Sequence, residues 1–268
     1  VTQSVGDQKF SMGENLPFVP LPKGKSVVDV ALGLLHACAL LNTSEIVCWG
    51  YGEYGQLGTG NSASLGGTPK TTPDLLIPLD LGVTDSKAVQ IVAGAFHSCA
   101  LFENGRAKCW GRNNRGELGL GHAMNMGATL ETIGEKLPYS QLTDDELPIQ
   151  QLFGLHFGTC FLFINSSMKC VGANERGNFG FGDAHNRGGA STTIGDKLEF
   201  IEFGNAEGIR QASGSASHTC IVSSKGALKC VGQNDHGQLG YGDTYSRGST
   251  FDTTLPLLPR VDLGTKVK

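Results

Sequence analysis

Eight cysteines in four evenly spaced pairs place the strongest constraint on how this chain can fold. The two members of each pair are ten positions apart, and corresponding cysteines recur every 60 or 61 residues. The pairs are Cys38 and Cys48, Cys99 and Cys109, Cys160 and Cys170, and Cys220 and Cys230. A zinc site needs closely clustered ligands such as C-x2-C, and the sequence has no such cluster. The regular spacing therefore indicates a repeated structural unit with a fixed place for both cysteines.

The segment between two paired cysteines has the pattern of a β-hairpin. In the first repeat one strand begins at Cys38, residues 42–44 form a turn, and the returning strand ends at Cys48. Gly105 and Gly226 stand near the end of the corresponding turns, as three-residue hairpin loops prefer. When residue 41 pairs with residue 45, the two cysteines lie directly opposite each other. Their Cα atoms are then about 4.5–5.5 Å apart, which a disulfide can bridge.

The hairpin register predicts four disulfides, one in each repeat. Each would close a ring of about eleven residues and contribute about 2.5–3 kcal/mol to stability. The alternative is four pairs of buried free thiols in a cytosolic protein. Unpaired thiols have no reason to recur at a fixed cross-strand spacing, so we favour disulfides, which need an oxidising compartment. The sequence therefore predicts a secreted or cell-surface protein.

Composition and charge exclude several classes of protein. Hydrophobic residues make up 39% of the chain and charged residues 17%, which is too apolar and too low in charge for a disordered protein. The 39 glycines argue against long helical bundles. With 21 basic and 25 acidic residues, a net charge of −4 and no basic stretch, nucleic-acid binding is disfavoured. No uninterrupted apolar run of about 18 residues occurs, so no membrane span is predicted.

The repeat extends beyond the cysteines and covers the whole chain. An alternating apolar segment precedes each hairpin, a glycine-rich turn follows it, and a longer loop leads to a further predicted strand around Leu-Pro. Three or four short strands per unit are typical of a β-propeller blade, so the predicted fold class is an all-β propeller-type repeat in one domain. The predicted boundaries are a partial repeat with a terminal strand at 1–26, then full repeats of about 61 residues at 27–87, 88–147, 148–207 and 208–268.

These motifs resemble the repeat of the regulator of chromosome condensation superfamily. The resemblance is carried by Gly94-Ala95-Phe96-His97-Ser98-Cys99-Ala100-Leu101, Cys109-Trp110-Gly111 and Gly116-Glu117-Leu118-Gly119-Leu120-Gly121. The cysteine pairs and the Gly-Glu-Lys-Leu-Pro loop are similar to those of a secreted, disulfide-bearing branch. Such a resemblance implies blades arranged around an axis, usually seven.

The chain departs from the family pattern in repeats three and four. Gly158 stands where the other repeats have histidine, and Val171 and Val231 replace the tryptophan that follows the second cysteine. The family's founding activity, exchange-factor work on a nuclear GTPase, fits poorly with four disulfides, and its acidic catalytic face cannot be placed on this sequence.

The two ends of the chain fall at the same phase of the repeat. The Leu-Pro region occurs five times and the hairpin four times, so the first and last copies would compete for one position in a closed four-bladed ring. We therefore expect an open or incomplete ring, either part of a larger propeller or a protomer that docks end to end through exposed strand edges. A missing stretch of chain would explain the same ends. Val1 begins a polar stretch, which fits a removed leader or a segment of a longer chain.

Two N-x-S sequons agree with an extracellular location. They begin at Asn42 and Asn165, and both fall on the predicted hairpin turns of repeats one and three. We expect N-linked glycans at these positions if the source is eukaryotic.

The sequence offers few candidates for chemistry. His36, His97 and His218 occupy one repeat position and are interpreted as structural, bonding a neighbouring turn. The Gly-Asp loops at Asp183 and Asp243 have an arginine four residues later, and an internal Asp–Arg pair is favoured over a calcium site. Trp49 and Trp110 are interpreted as blade packing. No catalytic, cofactor-binding or metal-ligating residue is predicted.

The function predicted from these features is non-enzymatic. We expect an extracellular structural or protein-interaction module, which makes contacts through its loops and open ends and could serve as a self-assembling subunit of a filament or surface appendage. The alternative is a secreted propeller that binds one ligand, as an enzyme inhibitor or lectin does. A hydrolase would need a converging acid–base pair that the sequence does not identify.

Overall fold

The computed structural model describes residues 13–16 and 18–264, which are built from short β-strands. In this part of the chain twelve strands form four three-stranded antiparallel sheets, here called blades 1 to 4, and each sheet pairs three consecutive strands. The all-β prediction is confirmed, and each sheet lies within one predicted repeat. The strands are β1 Val27–Leu32, β2 His36–Leu41, β3 Ile46–Gly50, β4 Ala88–Ala93, β5 His97–Phe102, β6 Ala107–Gly111, β7 Ile149–Leu155, β8 Gly158–Phe163, β9 Met168–Gly172, β10 Ile209–Gly214, β11 His218–Ser223 and β12 Leu228–Gly232.

The hairpins have the register that the cysteine spacing predicts. Cys38 lies opposite Cys48 between β2 and β3, and the Leu41 N–H donates to the Glu45 carbonyl at 2.8 Å to close a three-residue turn. The third turn residue is left-handed in every blade, which suits glycine and explains why it stands there twice. These residues are Ser44, Gly105, Ser166 and Gly226, with φ of 64°, 75°, 65° and 83°.

All four cysteine pairs are joined as disulfides across their hairpins. The paired Cα atoms are 4.0 to 4.1 Å apart, and no free cysteine occurs in the described residues. Seven of the cysteines are buried, whereas Cys220 of blade 4 is half-buried. Each blade is therefore covalently tied inside its own hairpin, and no disulfide joins one described blade to another.

The prediction of a further strand around Leu-Pro is wrong, because no regular strand forms there. In its place are short 3-10 turns, such as Gly134–Lys136 and Gly195–Lys197, followed by an extended segment with very little pairing. This segment reaches the third strand through one N–H, as when Ser140 donates to the Ala107 carbonyl at 2.9 Å. Only at Ile201 does it form an isolated β-bridge, to Met168. The fourth strand position of each blade is thus reduced to a single hydrogen bond, and in blades 1, 2 and 4 a proline in this segment also removes an N–H that a longer ladder would need.

One glycine per blade allows the chain to leave the sheet. Gly111 ends β6 with φ of 108°, and a Cβ at this position would lie 2.5 Å from the Phe96 carbonyl oxygen. Gly50, Gly172 and Gly232 share this conformation and the same close approach to a carbonyl. A side chain would clash here, which explains the glycine after each second cysteine.

Successive blades pack against each other through their inner strands. The strand β4 packs on β1 and β2, β7 packs on β4 and β5, and β10 packs on β7 and β8. At each junction a glycine N–H donates to a glycine carbonyl of the next blade, for example Gly121 to Gly188 at 2.9 Å. The described strands of blade 4 form no such junction with blade 1. The blades therefore form an open arc, as the phase of the repeat predicts.

Part of the predicted terminal repeat at 1–26 lies outside the described residues, namely 1–12 and Pro17. The described remainder contains a 3-10 turn at Gly13–Asn15, which corresponds to Gly134–Lys136 of blade 2, and its described residues form no strand. Throughout the described chain, no helix has the length and apolar character that a membrane span requires.

Candidate functional site

The repeated histidines form latches between neighbouring blades. His36 Nε2 lies 2.9 Å from Ser98 Oγ of the next blade, and His97 Nε2 lies 2.9 Å from Thr159 Oγ1. The Ser98 hydroxyl donates its proton to the Gln56 carbonyl at 3.1 Å, so the imidazole N–H is the donor to Ser98. Burial lowers the pKa of His36 to about 4 and that of His97 to about 3. These two buried histidines join neighbouring blades, which agrees with the structural role predicted for them, and their lowered pKa keeps the imidazoles neutral at pH 7.

The latch is absent at the third junction. Gly158 replaces the histidine, and the buried Thr219 hydroxyl, which corresponds to Ser98, has no hydrogen-bond partner among the described residues. Phe179 is larger than the leucine of the other turns and reaches within 3.5 Å of the position that a Gly158 Cβ would take. His218 bonds to Ser215 of its own blade at 2.8 Å. His36 and His97 therefore bond a strand of the next blade and not the neighbouring turn that was predicted, whereas His218 bonds Ser215 in the turn before its own strand.

Three buried lysines form a second set of hydrogen bonds between successive repeats, here called lysine ties, which were not predicted from the sequence. Lys169 Nζ donates to the Leu142 carbonyl at 2.9 Å and to the Gly195 carbonyl at 3.0 Å, which belong to two successive repeats. Lys108 and Lys229 make the equivalent bonds. Burial lowers the pKa of all three. The sequence feature that could have identified these bonds is a lysine directly before the second cysteine in repeats two to four, where repeat one has Val47.

Replacing Lys169 with methionine should destabilise the protein by about 2–4 kcal/mol. The substitution keeps the length of the side chain but leaves two buried carbonyls without a donor, at about 1–3 kcal/mol each. Denaturant unfolding of the unreduced protein measures the change. Lys197→Met on the exposed turn of the same blade is the matched control and should stay within about 0.5 kcal/mol of the native protein. An equal effect of both substitutions would contradict the proposed tie.

The Gly-Asp loops contain the predicted Asp–Arg pairs. Arg187 donates to Asp183 and Arg247 donates to Asp243, both at 2.7 Å. The bond from Arg247 holds the pKa of Asp243 at about 2. Both carboxylates also accept from backbone N–H groups within their loops, at His185 and Tyr245. The loops are thus held by internal ion pairs.

An aromatic and arginine surface covers one rim of the arc across blades 1 to 3. The Tyr54 and Phe96 rings meet edge to face at 5.3 Å between centroids, and the Arg112 guanidinium lies 5.5 Å from the Tyr54 ring. Arg115 lies 4.8 Å from the Phe157 ring, and its Nε donates to Glu175 at 3.0 Å. The sequence motifs gave these aromatic and arginine residues no role. This surface was not predicted, because its members are about 40 to 60 residues apart in the sequence and meet only at the blade junctions.

Blade 1 has an apolar face at the first end of the arc, here called the head face, on which no other described blade packs. Val30 of β1 is 59% exposed, whereas the corresponding Ile91, Leu152 and Ala212 are 2%, 1% and 4% exposed under a preceding blade. The head face continues with Leu32, Leu34 and Leu35, which are 73%, 55% and 57% exposed. Trp49, which corresponds to the fully buried Trp110, is only half-buried.

Blade 4 has the opposite face, here called the tail face, on which likewise none of the described blades packs. All six residues of β5 and β8 are buried, but every second residue of β11 is half-buried, namely His218, Cys220 and Val222. Ser213 on β10 is exposed, whereas the corresponding Ala31 is buried. In the inner junctions the equivalents of these two faces pack against each other.

The predicted glycosylation sites lie on the surface. Asn42 and Asn165 are both exposed on hairpin turns. The Asn42 side-chain oxygen accepts a bond from the Ser26 N–H, and that of Asn165 accepts from the Ser167 N–H. Both turns are accessible to a glycan, whose presence stays a prediction.

Comparison with known proteins identifies the repeat. The profile of the Regulator of chromosome condensation (RCC1) repeat matches residues 27–56, 88–117 and 209–238, and a second profile of the same description matches residues 45–101. The third hairpin, which has Gly158 in place of the histidine, is not among these matches.

Similar chains occur in plants, animals and yeast. The Ultraviolet-B receptor UVR8 of Arabidopsis thaliana is 28% identical over 82% of this chain and 44% of its own. The probable E3 ubiquitin-protein ligase HERC4 of Homo sapiens is 31% identical over 84% of this chain and 19% of its own. The crystal structure of Prp20p from Saccharomyces cerevisiae has a TM-score of 0.63 at 18% identity, with 92% of this chain and 53% of that chain covered. Human WBSCR16 has a TM-score of 0.61 at 18% identity, with 84% and 51% covered.

This chain spans less than half the length of the two curated relatives and about half the length of the chains in the two solved structures. The repeat motifs, the blade structure and the structural neighbours agree with one another. The chain belongs to the RCC1-repeat superfamily, and each of its four blades carries a hairpin disulfide.

Proposed function

We propose that this protein is an extracellular, non-enzymatic interaction module that binds a protein partner or a second copy of itself through the open ends of the arc. The supporting observation is the head face, where Val30, Leu32, Leu34 and Leu35 are more than half exposed although corresponding residues inside the arc are packed. An apolar face of this kind on a folded protein is typical of an interaction surface. Contacts between two different ends repeat from one copy to the next, and where they do not close into a ring they produce a filament or surface appendage.

The four disulfides support an extracellular location, because they persist only in oxidising compartments. The exposed sequons at Asn42 and Asn165 agree with this location. Protein binding also has a precedent in the same fold, since yeast RCC1 (Prp20) has been solved bound to Kap60.

Light scattering on the unreduced chain over a hundredfold range of concentration tests the self-assembling form of this proposal. We expect the mean mass to rise with concentration above that of one chain, because association removes the exposed head face from water. A constant mass of one chain over the whole range would contradict self-assembly.

The second candidate function is binding of a single ligand by a monomer, as in an enzyme inhibitor or lectin. The aromatic and arginine surface around Tyr54, Arg112 and Phe157 supports it, because such side chains are enriched in binding hot spots. A monomer that loses its partner upon Arg112→Ala, and keeps it upon Val30→Glu, would favour this candidate.

A further inference from the structure

We infer that a cavity at the junction of blades 3 and 4 binds an aromatic side chain of a protein partner, together with a carboxylate beside it in the partner's chain. This inference rests on the proposed role as an interaction module, but it uses neither open end of the arc. The cavity has a volume of about 320 Å³, at the lower end of the range for ligand pockets. Its lining includes residues of blades 2, 3 and 4, among them Arg115, Phe157, Ala173, Arg176, Asn178 and Ser217.

The repeat shows which side chain stands at this position in other blades. The Ala173 N–H donates to the Phe157 carbonyl at 2.8 Å, and the Gln233 N–H donates to the Ser217 carbonyl at the same distance. Phe157 directly precedes β8, and Ser217 directly precedes β11. Ser217 of blade 4 therefore corresponds to Phe157 of blade 3, and in blade 2 to Phe96.

A ring fills this position at the two preceding junctions. The Phe96 ring packs edge to face on Tyr54 of blade 1, with 5.3 Å between centroids. The Phe157 ring lies 4.8 Å from the Arg115 guanidinium of blade 2. At the third junction Ser217 provides no ring, so the cavity occupies the place where the other junctions have phenylalanine.

Two further differences enlarge the cavity and leave a polar group in it. Ala173 stands at the position of Arg112 and is much smaller. Asn178 is one methylene shorter than the corresponding Glu117, which accepts a bond from the Arg115 N–H at 2.8 Å. Asn178 is 6% exposed, and its Oδ1 has no hydrogen-bond partner in the described part of the chain. A peptide N–H next to an inserted side chain can donate to this oxygen.

The charge of the site favours an acidic partner. Glu175 pairs with Arg115 at 3.0 Å and also accepts from Asn186 at 3.3 Å. Arg176 is exposed beside them, and within the described residues it has no ion pair and no ring partner. One guanidinium therefore remains free to bind a carboxylate through two parallel hydrogen bonds. Because Arg115 and Phe157 belong both to this cavity and to the aromatic and arginine surface, a protein that covers the rim can insert its own ring here.

Titration of the isotope-labelled, unreduced protein with the capped peptide acetyl-Gly-Phe-Asp-Gly-amide tests the inference. In ¹H–¹⁵N spectra the amide signals of Ala216 and Ser217 should shift, because these residues line the cavity. Peptides with alanine in place of phenylalanine, or asparagine in place of aspartate, should bind at least about 10-fold more weakly, since each loses one of the two recognised groups.

Two variants test the two halves of the site. Ser217→Phe supplies the ring that the other junctions have, so it should weaken peptide binding at least about 10-fold and leave the thermal unfolding midpoint unchanged or higher. Arg176→Gln should weaken binding of the aspartate peptide about 10-fold but not that of the asparagine peptide. Arg210→Gln, at an exposed position of β10 outside the cavity, is the matched control and should bind like the native protein.

The inference is overturned if the native protein does not bind the aspartate peptide at millimolar concentration, or if either cavity variant binds it like the native protein. Both results leave self-association untouched, because light scattering measures that separately. A native chain that stays monomeric and binds the peptide would contradict self-assembly and support this site.

Discussion

Reduction of the four disulfides is expected to unfold this protein at neutral pH. Each disulfide closes a ring of about eleven residues, which corresponds to about 2.8 kcal/mol in the chain-entropy model. The four together contribute about 11 kcal/mol at most, which is comparable to the whole stability of a typical domain, about 5–15 kcal/mol. Denaturant unfolding followed by far-ultraviolet circular dichroism, with and without reductant, measures this loss. A reduced protein with an unchanged midpoint would contradict the structural role of the disulfides.

A second experiment, partial reduction, distinguishes the four disulfides from one another. Cys220 is half-buried on the tail face, whereas the other seven cysteines are buried. Mild reduction followed by alkylation and peptide mapping should therefore label Cys220 and Cys230 first. Before reduction, a thiol titration should find no reactive cysteine, and each cysteine should map to the partner ten residues away. Eight free thiols in the native protein would also remove the argument for an oxidising compartment.

Acidification from pH 6.5 to pH 4 is expected to destabilise the protein through His36 and His97. Burial lowers their pKa from 6.5 to about 4 and about 3, so the folded state resists protonation while the unfolded state takes up protons below pH 6.5. Their contribution is therefore complete above pH 6.5 and is lost as the pH falls towards each folded pKa. The upper limits are about 3 kcal/mol for His36 and about 5 kcal/mol for His97.

Unfolding free energies measured at intervals from pH 7.5 to pH 4 check this prediction. The double variant His36→Gln and His97→Gln should be less stable than the native protein at pH 7.5, because its inter-blade latches are altered. Its stability should nevertheless change much less between pH 6.5 and pH 4, because the two groups no longer titrate. Parallel pH profiles of the variant and the native protein would show that other groups cause the acid sensitivity.

Local features of the fold could be predicted from the sequence because their partners are close together in the chain. Cys99 and Cys109 are ten residues apart and lie on adjacent strands. Because a three-residue turn joins these strands, the turn sets the pairing register that places the two cysteines opposite each other. The Asp183–Arg187 pair spans four residues of a single loop and was predicted for the same reason. The strand around Leu-Pro was mispredicted, because apolar alternation does not reveal that 3-10 turns precede this segment or that it pairs through only one hydrogen bond.

The sequence by itself determined the repeat, the hairpin register and the disulfide pairing, because each follows from short spacings that recur along the chain. It also showed that the first and last segments of the sequence occupy the same position within the repeat. Only the tertiary structure revealed the buried bonds of Lys169, the latch from His97 to Thr159 and the surface around Arg112. Each of these joins groups from different repeats or loops, and in a strand pattern a lysine is expected to face water. The head face was likewise not predictable, because Val30 and Ile91 have the same pattern in the sequence and differ only in whether another blade covers them.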